Sequence, residues 1–110
     1  MTGSDSGSSG GNYGGNSGGA ISCDSLAFET VLSSPKPNVV SMLSVGDILD
    51  IQIHVSVGVE TVVILHNNDI AGGLVKNSDV IKTCLDKGYQ YEAEVREIKG
   101  AQVKIFVSPA

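Results

Sequence analysis

Aromatic residues are scarce in this chain: three tyrosines, two phenylalanines and no tryptophan among 110 residues. A surface that stacks nucleic-acid bases needs exposed rings beside a basic groove, so few positions here can serve one. Long apolar runs are missing too. No stretch reaches the roughly 18 apolar residues of a membrane-spanning helix, and no charged segment followed by an apolar one opens the sequence. The expectation is a cytoplasmic protein without a membrane partner. Positive charge is sparse and one-sided: residues 1–75 hold seven acids against Lys36 alone, residues 76–110 hold six bases and five acids, and the net charge is −5. Such a chain gains little from counterion release on a phosphate backbone. The two cysteines, Cys23 and Cys84, are too few for a disulfide framework and lack the close spacing of a zinc site. Both are expected as structural thiols, Cys84 in the core and Cys23 accessible at the head of the fold.

Catalytic chemistry is equally thin. A nucleophile needs a base in reach, and hydrolysis by carboxylates needs a pair across a cleft. His54 lies on the outward face of one strand and His66 at the far end of the next, so the two are not expected to share a ligand. Gly72-Gly73 lacks the lysine and the helix-capping spacing of a phosphate loop. Glu92 and Glu94 share one strand face and read as a solvated surface. No enzyme, cofactor or metal is expected.

What the chain does have is a change of texture near residue 20. Thr2 to Gly19 contains eight glycines and a single aromatic, Tyr13, and cannot bury enough apolar surface to offset the entropy of ordering. Residues 1–21 are therefore expected to be a flexible leader or linker, and residues 22–108 one small domain. Alternation places Leu26, Phe28, Thr30 and Leu32 on one face of a first strand, which Ser33-Ser34-Pro35-Lys36-Pro37 stops. Val39 to Leu43 fits a short strand or a helical turn. Leu49, Ile51, Ile53, Val55, Val57 and Val59 form the clearest period-two face, with a turn expected around Ser56 to Val59. Thr61 to Leu65 suits a central strand, and His66-Asn67-Asn68-Asp69 a tight turn, because asparagine tolerates the left-handed backbone of primed hairpins. Ile70 to Val75 returns, with Gly72-Gly73 marking a bulge or a close approach. A helix over Ser78 to Lys87 buries Val80, Ile81, Cys84 and Leu85 and ends at Gly88. Tyr89 to Ile98 and Gln102 to Val107 close the fold as a hairpin. A bulge near Arg96-Glu97 sets Val95 opposite Val103 and Glu94 opposite Lys104.

This order predicts an α+β, mostly β fold: a five- to six-stranded barrel of the oligonucleotide-binding type, with one short helix before the closing hairpin. At that level Val62 to Leu74, then the helix, then Gly88 to Val95, resembles the HIRAN family. The resemblance implies binding of single-stranded DNA ends. The family's binding segment belongs between the second and third strands, where His54 to Thr61 of this chain match none of it, so no residue inherits that role. The expected function is a non-catalytic binding or adaptor module with a protein partner, and single-stranded nucleic acid is the alternative. The candidate contacts are His66, Asn67, Asn68, Asp69, Gly72, Gly73 and Phe106. Tyr89, Tyr91 and Phe106 are the rings available to the alternative.

Overall fold

The computed structural model describes residues 22–110, so the expected leader lies outside the described residues. Six strands form one antiparallel sheet: β1 (Phe28–Val31), β2 (Ile48–Ser56), β3 (Val59–His66), β4 (Asp69–Gly73), β5 (Tyr91–Lys99) and β6 (Gln102–Pro109). Two helices, α1 (Pro37–Val40) and α2 (Ser78–Asp86), complete the described elements. The strand order is β1-β6-β5-β2-β3-β4. The ladder is that of an open sheet and does not close into the expected barrel. One isolated bridge joins its two edges: the Ser33 and Gly73 backbones exchange hydrogen bonds of 2.9 and 2.7 Å.

The ambiguous Val39 to Leu43 stretch resolves as the end of a helical turn, α1 closing at Val40 and a turn following at Ser41-Met42, because Pro37 at the first helical position presets the backbone angle and loses no hydrogen bond there. Val39, Val40 and Leu43 are buried by it. The β2–β3 hairpin turns at Val57-Gly58, both at positive φ. That two-residue turn reverses the face expected of Val59, which pairs with Ser56, while Val55 pairs with Glu60. The long apolar face therefore serves the core only at Leu49 and Ile51; Val55 and Val59 are each 60% exposed and Val57 is 99% exposed. Helix α2 ends in a Schellman arrangement, with Gly88 at φ 97° and the Tyr89 N–H donating to the Cys84 carbonyl.

The closing hairpin carries the expected bulge, placed between Val95 and Glu97, but its register differs from the sequence reading. Val95 faces Ile105, Glu97 faces Lys104, and Glu94 faces Phe106. Lys104 accordingly pairs with Glu97 at 3.3 Å, and Glu94 with Arg96 at 3.3 Å. A slip of two residues keeps every side chain on its face, so Tyr91, Ala93, Val95, Val103, Ile105 and Val107 still point inward and are buried.

The cysteines depart furthest from expectation. Cys23 and Cys84 form a disulfide across 61 residues of sequence, with their Cα atoms 5.7 Å apart, and Cys23 is buried instead of accessible. Closing a loop of that length contributes on the order of 4 kcal/mol by the chain-entropy account. The Tyr91 hydroxyl, buried beneath it, donates to the Cys23 carbonyl.

Candidate functional site

The site residues expected from sequence fall at three places. Asn67 and Asn68 form the two-residue β3–β4 turn with φ of 50° and 73°, the left-handed pair that a primed hairpin turn requires. His66 and Asp69 pair across it. Beside this turn lies a shallow hollow lined by Asp47, Ile48, Asp50, Leu65, His66, Asn67 and Asn68. Its carboxylates are held differently. Asp47 precedes β2, and its Oδ2 accepts the Ser44 N–H at 2.9 Å. Asp50 stands exposed on β2, opposite Leu65 on one side and Glu92 on the other. The Nδ1 atom of His66 is buried and has no hydrogen-bond partner.

Gly72 and Gly73 are placed by the fold itself. Ala71 is the extra residue of a bulge opposite Ile64 and Leu65, and the chain then runs against Ser33. A Cβ on Gly72 would stand 2.9 Å from the Ser33 carbonyl oxygen and 3.2 Å from the Leu32 Cβ, whereas one on Gly73 would meet nothing closer than 3.7 Å. Gly72 is buried at this crossing.

Phe106 points outward and is half-buried. The Arg96 guanidinium lies 4.6 Å from its ring centroid, a cation–π contact that covers the ring. Cross-strand register nonetheless connects Phe106 to the hollow: Ile48, Glu94, Phe106 and Glu29 sit opposite one another on β2, β5, β6 and β1. Paired residues share a face, so these four form a row, and Ile70, Leu65, Asp50, Glu92 and Ser108 form the next one. Adjacent strands lie about 4.8 Å apart, which puts Phe106 about 10 Å from Ile48. The outward face is thus a mixture of carboxylates with Ile48, Leu65 and Phe106. Ile48 is 54% exposed.

Four residues of this site, Asp47, Ile48, Asp50 and Leu65, were not among those expected. Two-residue turns at Val57-Gly58 and Asn67-Asn68 fix the register of β2, β3 and β4, and that register sets Asp50 opposite Leu65. The turn signals were therefore sufficient to find that pair.

Four of the six bases of the second half, Lys82, Arg96, Lys99 and Lys104, are held in ion pairs. Glu97 bridges Lys99 at 3.4 Å and Lys104, and its carboxyl is held below the usual range first by the hydrogen bond from Lys104 and then by that from Lys99. Lys82 bonds Glu60 at 2.9 Å, which raises its ammonium pKa. Among the described residues, no group of three or more His, Cys, Asp or Glu is placed to hold a metal ion, and no helix is long and apolar enough to cross a membrane. Compared with protein-family models, with curated proteins and with solved structures, the chain matches none.

Proposed function

We propose that this chain is a non-catalytic binding module whose partner is a protein, and that the partner seats on the outward face between the β3–β4 turn and Phe106. The observation that carries the reading is the composition of that face. Asp47, Asp50, Glu92, Glu94 and Glu29 surround Ile48, Leu65 and Phe106; of the bases beside them, Arg96 is bound by Glu94 and Phe106, and the Lys76 ammonium donates to the Glu29 carbonyl at 3.3 Å. A face of this kind repels phosphate and attracts a partner surface that carries lysine or arginine around an apolar centre.

A photoreactive side chain placed at Asn68 is the direct test. In source-cell extract it should crosslink one protein species in preference to others, and Asp50→Lys should abolish the product. A control probe at Thr83, on the exposed side of α2, should not yield it. Equal products from both positions would refute the assignment of this face.

Single-stranded nucleic-acid binding by a HIRAN-like or OB-like barrel is the second reading. The element order and the Ser33–Gly73 bridge between the sheet edges support a barrel-like curl for the sheet. Its stacking platforms are poor, because Tyr91 is buried, Phe106 lies under Arg96, and among the described tyrosines only Tyr89 is open to solvent. Fluorescence anisotropy with a labelled single strand at physiological salt should show no micromolar binding. Binding that tightens as salt is lowered into that range would reverse the order of the two readings. The expected cytoplasmic location fits neither reading better, and a Cys23–Cys84 bond favours an oxidising compartment.

A further inference from the structure

We propose that the Cys23–Cys84 disulfide is a redox-operated clasp on residues 22–27, which it holds over Tyr91, and that its reduction frees this strap while the sheet stays folded. Residues 22–27 join no strand ladder; their one backbone hydrogen bond runs from Ser25 N–H to the Ser22 carbonyl, inside the strap. Among the described residues, three attachments hold the strap to the rest of the molecule: the disulfide to α2, the bond from the Tyr91 hydroxyl to the Cys23 carbonyl, and the half-buried side chain of Leu26 packed on the core. The first is covalent. The other two are one hydrogen bond and one partly buried side chain, each a modest net contribution in water.

The fold beneath is complete without the strap. Phe28 begins the β1–β6 ladder, and Leu49, Ile64, Ile81, Val95, Ile105 and Val107 fill the core from elements that the clasp does not hold together. Loss of the disulfide therefore removes one strong tie from a segment with two weak ones. Both sulfurs are buried while the strap is seated, so attack requires the strap to lift locally, an opening that few contacts oppose. A dithiol then supplies two electrons and two protons. Its thiolate attacks the Cys23 sulfur, the Cys84 thiolate leaves and takes up a proton, and the reductant's second thiol displaces Cys23 as it closes its own disulfide. The products are two Cys S–H groups and an oxidised dithiol.

Release has a local consequence. Tyr91 loses its acceptor and the cover over its hydroxyl, and Cys84, on the buried stripe of α2 with Ile81, loses its partner. The strap is thereby a cover whose position reports the thiol–disulfide state around the protein.

The test uses the full chain, oxidised in air and then exposed to increasing dithiothreitol. Intact-mass analysis after alkylation counts thiols, and amide hydrogen exchange locates opening. Reduction should yield two alkylated cysteines, at least tenfold faster exchange at the Ser25 amide, the hydrogen-bonded amide of the strap, and unchanged protection in β2, β3, β5 and β6. The Tyr91 phenol should titrate at lower pH once uncovered. Cys23→Ser should reproduce the exchange pattern without reductant and make Cys84 reactive toward iodoacetamide. Two free thiols in the air-oxidised protein would overturn the clasp. Loss of sheet protection together with the disulfide, in the reduced protein or in Cys23→Ser, would overturn it in favour of a global staple.

Discussion

Gly72 shows how much of the architecture can rest on one absent side chain. The expectation of a close approach at Gly72-Gly73 came from residue type alone, and the approaching group is the Ser33 backbone. The two glycines are not equivalent. Gly72→Ala forces a Cβ to within 2.9 Å of the Ser33 carbonyl oxygen, while Gly73→Ala makes ordinary contacts. The first should cost about 1–3 kcal/mol, the usual cost of overpacking, and the second well under that. Urea denaturation of both variants checks the order, and equal losses would mean that the Ser33 loop yields freely. Residue type was sufficient to anticipate the crossing, but the strand that arrives there was illegible, because Ser33 lies beyond a stretch that reads only as a stop.

Among the elements, the two-residue hairpins were the most legible, since asparagine or glycine at positive φ specifies both the turn and the register behind it. Val57 is the exception. A β-branched residue at φ 51° costs about 1–2 kcal/mol relative to a residue suited to that region. Its side chain is almost wholly exposed, so no packing offsets the strain. Val57→Asn should therefore raise stability by up to about 1 kcal/mol in urea, with no change in m-value. The closing hairpin was legible in face and illegible in register. Placing the turn at Lys99-Gly100 instead of Gly100-Ala101 moved the pairing by two residues, and an even slip leaves the period-two pattern unchanged. Val95→Asp should unfold the domain, a loss of more than about 4 kcal/mol, because it puts an unpaired carboxylate at a fully buried position. Glu94→Gln should cost less than about 1 kcal/mol, since it breaks only a half-exposed pair with Arg96. A larger loss from Glu94→Gln than from Val95→Asp would contradict the inward face of β5.

Taken whole, the molecule couples its alkaline limit to one phenol. The Tyr91 pKa is raised above 10.0, first by burial, then by the neighbouring Tyr89 and Asp24. A group whose folded pKa lies above its unfolded value contributes stability that is complete below the unfolded pKa and is lost as pH rises through the folded one. Stability should accordingly fall as pH climbs above 10, with a slope that Tyr91→Phe removes. That variant should also lose about 1 kcal/mol at neutral pH with the bond to Cys23. Thermal melts across pH 8 to 11, followed by phenolate absorbance, check both. The disulfide beside this tyrosine was the part of the molecule least legible in the sequence, because two cysteines 61 residues apart carry no spacing signal and meet only when β1 and α2 are both in place.

One feature of the sheet bears on synthesis. The first strand, β1, has a single continuous neighbour, β6, which is the last: Phe28 pairs with Val107. On the ribosome the chain emerges from its N-terminal side, so β1 is exported early and must wait with its amides unpaired until nearly the entire domain has left the exit tunnel. The inner hairpins can close as they appear, whereas the outermost pairing cannot begin until β6 has emerged. A nascent chain of which only the residues before Gln102 have emerged thus presents two unsatisfied β edges at once, Phe28–Val31 and the outer side of β5. Those intervals are the ones in which a chaperone has a strand to hold.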